Sequence, residues 1–156
     1  QAWARPLKVG TPAPEFSAPS HKAVDVGLED FRGRPLIVVF YPADFTPGCT
    51  VQLCSLRDHY DRVRAAGAEV VAINSADVAS HRNFAQKHHL PFHVLADKDN
   101  RIARAFGVGN HWGFNTRTVF VLDETGRVIF ADEGMPSVET LLNAIQNHTV
   151  HNSTIR

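Results

Sequence analysis

Strands that alternate with helices and close with a hairpin and a last helix predict a three-layer α/β domain with a mixed central sheet. Three observations carry this expectation. LIVVFY (36–41) and AEVVAINS (68–75) are short, largely apolar runs of the kind buried on both faces of a sheet. The first leads to a stretch whose apolar residues recur at helical spacing, and the second to a helix begun near Asp77 as its cap. TRTVFVLDETGRVIFAD (116–132) reads as two strands joined at Glu124-Thr125-Gly126, a hairpin signal.

The elements follow in order. GTPAPEFSAPS (10–20), rich in proline and small residues, predicts an extended surface lead-in. LEDFRGRP (28–35) reads as a short helical turn or loop broken by Gly33 and Pro35, and Pro42 ends the strand that comes next. A helix is expected from Pro47 to Ala66, closed by Gly67, with Val51, Leu53, Leu56, Tyr60 and Val63 forming one buried stripe. After the strand at 68–75, Asp77 caps a helix over 78–89. PFHVLAD (91–97) is a third strand and NRIARAFGV (100–108) a short helix. Beyond the hairpin, Ser137 to Asn147 has Val138, Leu141, Leu142 and Ile145 on one side of a final helix. No repeat or low-complexity segment appears, so a single domain over residues 1–148 and a disordered tail over 149–156 are expected.

Composition narrows the function. Sixteen basic residues balance sixteen acidic ones, and no dense Lys/Arg run is present, which argues against a nucleic-acid or anionic-membrane surface. No apolar run approaches a membrane span. A chain of 156 residues builds a core without disulfide or metal support. Two cysteines make no disulfide framework and fit a reducing compartment, so a cytoplasmic location is expected, or another compartment if a leader preceded Gln1.

Both cysteines fall within DFTPGCTVQLC (44–54), five positions apart. Thr46 is a preferred N-cap residue, and Pro47 suits the first helical position. Cys49 then stands third in the helix, where the Thr46 hydroxyl can accept from its backbone N–H. The macrodipole at that end favours a thiolate, and the strand–loop–helix context puts the sulfur at the carboxyl end of a sheet strand, where open α/β folds bind ligands. By itself this cap is also ordinary helix grammar around a packed cysteine. Cys54 adds the second fact. In an unbroken helix residues five apart have Cα atoms about 8.7 Å apart, whereas a disulfide needs them within about 7 Å. A bond between the two therefore requires the first turn or two to unwind, which suits a transient redox state better than a permanent staple.

Other readings stay open at this point. A thiol–disulfide oxidoreductase would carry C-x-x-C, which is absent. A copper carrier would recruit a distant histidine such as His93 or His111 to the two thiols. Tetrahedral zinc wants closer cysteines and further ligands. A non-catalytic domain would hold both cysteines as packing.

PADFTPGC (42–49) has the form P-x-x-x-T-x-x-C and resembles the peroxiredoxin active site. With TVQLC (50–54) and LRD (56–58) it is similar to the Q-type, or bacterioferritin comigratory protein, subgroup, whose resolving cysteine sits on the same helix. VGTPAPEFSAP (9–19) and RTVFVLDETGRV (117–128) extend the likeness over most of residues 7–148. The resemblance implies a thioredoxin-like fold and a thiol-dependent peroxidase, with Cys49 as peroxidatic and Cys54 as resolving cysteine. It implies that Thr46 hydrogen-bonds the peroxide, that Pro42 shields the sulfur, and that Arg117 supplies a guanidinium beside the thiolate. A thioredoxin-like dithiol reductant would recycle the enzyme, with no metal or organic cofactor. A monomer is expected, because a resolving cysteine on the same helix removes the chemical need for a dimer without forbidding one. The likeness weakens at GVGNHWGFNTR (107–117) and FADEGMPSVETLL (130–142), where a loop carries His111 and Trp112. Gln52 is an amide, so no carboxylate handles protons at that position.

Overall fold

The computed structural model describes residues 5–155, and their side chains except those of Cys49, His111 and 150–155. In chain order the elements are β1 (Ser17–Pro19), β2 (Asp25–Gly27), β3 (Leu36–Phe40), α1 (Pro47–Asp58), α2 (Tyr60–Ala65), β4 (Glu69–Asn74), α3 (Val78–His88), β5 (His93–Ala96), α4 (Arg101–Ala105), β6 (Asn110–His111), β7 (Phe114–Asn115), β8 (Thr118–Leu122), β9 (Val128–Glu133) and α5 (Val138–Ile155). Five strands form the central sheet in the order β5-β4-β3-β8-β9. β3, β4 and β5 are parallel, β8 is antiparallel to β3, and β9 is antiparallel to β8. This is the mixed three-layer arrangement that the sequence predicts.

Each central strand is apolar on both faces because each face is covered. Ile37, Val39 and Tyr41 point to a core completed by Leu53, Leu56, Val63, Phe84, Leu141 and Ile145 from α1, α2, α3 and α5. Val38 and Phe40 point the other way, to Phe16, Phe31, Ile102 and Phe106. The period-2 alternation of a strand thus splits one continuous hydrophobic run between two cores.

The structure departs from the sequence reading in four places. The lead-in is an antiparallel hairpin, β1 with β2. The long helix is two, because at His59 the backbone (φ −110°, ψ 16°) leaves the helical region, where the ring Nδ1 donates to the Ser55 carbonyl at 2.8 Å. The loop at 107–117 contains a second small hairpin, β6 with β7. The last helix does not stop near Asn147: no glycine or proline follows to end it, Thr149 donates its hydroxyl to the Ile145 carbonyl at 3.0 Å, and α5 continues to Ile155. Other signals are realised as read. Asp77 caps α3 by accepting from the Ser80 N–H at 2.8 Å, and Gly126 turns the β8–β9 hairpin with φ 88°.

Candidate active site

β3 ends at Phe40 and delivers the loop 42–46 to the amino end of α1. Because β8 runs antiparallel to β3, with Thr118 paired to Phe40, the residue before Thr118 arrives at this same end of the sheet. That residue is Arg117. Strand pairing alone therefore joins two segments that lie far apart in the chain.

Pro42, half-buried, follows β3 directly. Thr46 is the N-cap of α1, with extended backbone (φ −89°, ψ 146°), and Pro47 takes the first helical position. The expected side-chain cap is not made: the Thr46 hydroxyl donates back to the Ala43 carbonyl at 3.2 Å. A hydroxyl has one hydrogen, and spending it on Ala43 leaves its oxygen lone pairs as acceptors. The Thr46 carbonyl receives both the N–H and the hydroxyl of Thr50, at 2.9 and 3.0 Å, which fixes the first turn. Thr46 makes no side-chain cap, and the first turn carries no acidic residue, so among the described residues no carboxylate within that turn neutralises the positive end of the helix.

Cys49 is the third residue of α1, and its side chain lies outside the described residues. Cys54 is a free, half-buried thiol five residues further along the same helix, which is unbroken between them. The guanidinium of Arg117 lies against the Gly48 backbone, one residue before Cys49. A Cβ built on Gly48 would stand 2.9 Å from Arg117 Nη2. Its Nη1 donates to the Gln52 amide oxygen at 3.1 Å. Gln52 is buried at i+3 from Cys49, so Gly48 and Gln52, which flank Cys49 in the sequence, hold the guanidinium against the first turns of α1. From the sequence Gln52 reads only as an absent carboxylate. Its work as a guanidinium holder depends on a strand 65 residues away, and helical spacing from Cys49 was the sole local signal. An amide orients the guanidinium without cancelling its charge.

Around this end several apolar side chains face solvent. Phe45, Phe114 and Met135 are about half exposed, Val51 more so, and Trp112, at the tip of the β6–β7 hairpin, is 93% exposed. The Asn115 amide nitrogen docks that hairpin onto the sheet by reaching the Tyr41 and Ile73 carbonyls at 3.5 and 3.4 Å. The side chain of His111 lies outside the described residues. His93, the other candidate third ligand for copper, bonds Ser20 through Nδ1 at 2.7 Å, on the sheet face opposite α1. The sheet lies between it and the two cysteines, which removes the support for that reading.

The comparisons with known proteins agree with this geometry. Residues 9–131 match the AhpC/TSA family. A chloroplastic peroxiredoxin Q of Gentiana triflora is 43% identical over 122 residues, 76% of this chain but 56% of the relative, so the chain spans little more than half of that protein's length. A peroxiredoxin bcp of Coxiella burnetii is 38% identical over 127 residues, covering 77% of this chain and 84% of its own. Among solved structures, peroxidoxin BcpB of Mycobacterium tuberculosis superposes with TM-score 0.84 at 26% identity over 90% of this chain and 97% of its own. Peroxiredoxin Q of Xanthomonas campestris gives 0.78 at 27% over 85% and 90%. The fold is thus thioredoxin-like, and the chain belongs to the AhpC/TSA family, in its peroxiredoxin Q and bcp branch.

Proposed function

We propose that this protein is a thiol-dependent peroxidase that reduces hydrogen peroxide and organic hydroperoxides through Cys49 and Cys54. The observation that carries the reading is the Arg117 guanidinium, laid over Gly48 and held by Gln52 at the open amino end of the helix bearing P-x-x-x-T-x-x-C. A helix terminus and a fixed cation both favour a thiolate over a thiol.

The Cys49 thiolate attacks one peroxide oxygen. An S–O bond forms as the O–O bond breaks, and the leaving oxygen takes a proton and departs as water or alcohol. Arg117 stabilises the negative charge that develops on the oxygens, and the Thr46 oxygen, its hydrogen turned toward Ala43, accepts the peroxide O–H. Pro42 shields the sulfur. The first turn of α1 then unwinds, and the Cys54 sulfur displaces the sulfenic hydroxyl as water, giving an intramolecular disulfide. A thioredoxin-like dithiol reductase returns both thiols by exchange, supplying two electrons. A solved Xanthomonas campestris relative, a bacterioferritin comigratory protein, is described by its alkyl peroxide reduction activity, which supports organic hydroperoxides as substrates here. We take the working unit to be a monomer in a compartment that supplies such a reductase. Among the described residues no helix is long and apolar enough to cross a membrane.

The test is peroxide-dependent oxidation followed by mass spectrometry. Cys49→Ser should lose peroxide reduction. Cys54→Ser should form a trappable sulfenic acid but fail to turn over with a dithiol reductase. Rapid peroxide reduction by Cys49→Ser would overturn the assignment.

A further inference from the structure

Asp44 lies in the loop that feeds α1, yet its side chain is 3% exposed. Its Oδ1 accepts from the Tyr41 hydroxyl at 2.5 Å, and its Oδ2 accepts from the Ser80 hydroxyl and from His81 Nδ1, each at 2.7 Å. His81 is fully buried, with Nε2 3.4 Å from the Asn74 carbonyl at the end of β4. The next residue, Phe45, has φ 66° and sets its ring edge-on to Phe84 at 5.3 Å, with Lys87 Nζ 5.9 Å from the ring centre. Ser80, His81, Phe84 and Lys87 recur at helical spacing on α3. One helix therefore grips the loop 42–46 by a buried carboxylate and by an aromatic ring.

A buried carboxylate is an expensive way to gain stability, since desolvation opposes it and apolar packing would serve as well. What it supplies is a fixed position with directed bonds. Immediately past it, Phe45 holds a left-handed backbone that a residue with a Cβ disfavours. That strain is relieved once the chain beyond Asp44 is free to rotate. The unwinding that Cys49 and Cys54 require must begin here, by breaking the two bonds from Thr50 to the Thr46 carbonyl.

We propose that Asp44, gripped by Ser80 and His81, is a positioning residue that fixes the starting point of α1 and so sets the balance between the wound helix, which reduces peroxide, and the unwound one, which forms the disulfide. This rests on the peroxidase reading above. A clamp on the wound form speeds the first step and restrains the second. Loosening it shifts the two in opposite senses, which a loss of overall stability does not do.

The experiment is rapid mixing of the reduced protein with hydrogen peroxide, reading the second-order rate of sulfenic acid formation and the first-order rate of disulfide formation. In Asp44→Asn the ratio of the second rate to the first should rise about tenfold, the order expected for losing hydrogen bonds to a charged group. Ser80→Ala, which removes one donor and leaves the carboxylate in place, should move the ratio in the same direction by a smaller amount and serves if Asp44→Asn does not fold. A ratio within about twofold of wild type in every folded variant, or one that falls, overturns the proposal, because a bond worth keeping exceeds that change. Failure of the wild type to form sulfenic acid and disulfide would instead sink the peroxidase reading, so the two failures are distinguishable.

Discussion

At the scale of single residues the site turns on an atom that is missing. Gly48 has no Cβ, and that absence lets the Arg117 guanidinium lie on the helix backbone beside Cys49. In Gly48→Ala the new methyl would meet Arg117 Nη2 at 2.9 Å, closer than carbon and nitrogen tolerate. The clash is with the far end of a flexible side chain, so the fold accommodates it, and alanine suits a helix better than glycine by up to about 1 kcal/mol. The variant should melt no lower than wild type, yet reduce peroxide at least about tenfold more slowly, since a displacement near 1 Å in a reacting group is enough for such losses. Stopped-flow rates set beside thermal unfolding check both halves, and an unaltered rate would show that the guanidinium position is unimportant. The same residues show what could be read from sequence. Cys49 and Cys54 lie close in the chain, and a helix start with helix geometry singles them out, whereas the roles of Pro42 and Thr46 enter only through resemblance. Arg117 was visible only through resemblance, because alone it is a polar residue opening a strand. Gly48, Gln52 and the Asp44–His81 pair were not legible as partners, since strand order and helix docking create their contacts.

Elements show the same division. β3, β4 and β8 were readable because burial on both faces demands apolar runs. β1 and β2 were not, because three residues that include Pro19 carry little strand propensity and pair only where they dock. The docking is specific. Ser20 bridges to Leu95, the His21 N–H donates to the Val94 carbonyl at 2.9 Å, and the Val94 N–H donates to His21 Nδ1 at 3.1 Å. That last bond needs a neutral ring. Burial, followed by the charge of Lys22, pushes His21 down to about 4 from its ordinary 6.5, and burial lowers neighbouring His93 as well. Between pH 6.5 and 4 the unfolded chain therefore binds a proton that the folded His21 refuses. The stabilisation is complete above pH 6.5 and fades as pH falls toward 4. Urea midpoints measured from pH 7 downward should drop across this window, and His21→Phe, which does not titrate, should flatten the drop even though it weakens the docking. A slope unchanged by that substitution would assign the acid sensitivity elsewhere.

Across the whole molecule, two cores divided by one sheet decide which part can move. α1 is fastened by its second half: Leu53 is fully buried and Leu56 nearly so, both in the core shared with α3 and α5. Each buried leucine contributes on the order of 1.5–3 kcal/mol. Among the described residues the first half has no such apolar anchor, and Val51, in its second turn, is 63% exposed. What holds that half is the Thr46–Thr50 pair of bonds, the contact of Arg117 with Gly48 and Gln52, and the clamp on Asp44. All of these are polar or local, so they can break without opening either core. Bridging Cys49 and Cys54 should therefore peel the helix only as far as the buried Leu53. Hydrogen exchange on the peroxide-oxidised protein should show lost protection for the amides of 48–52, with those of 56–58 and of β3, β4 and β8 exchanging as slowly as in the reduced form. The reduced form should protect the whole of α1 beyond its first turn. Loss of protection through the sheet as well would mean that the disulfide strains the fold globally. Full protection of 48–52 in a chain that mass spectrometry shows to be bridged would mean that the two sulfurs meet without unwinding, contrary to the helix geometry.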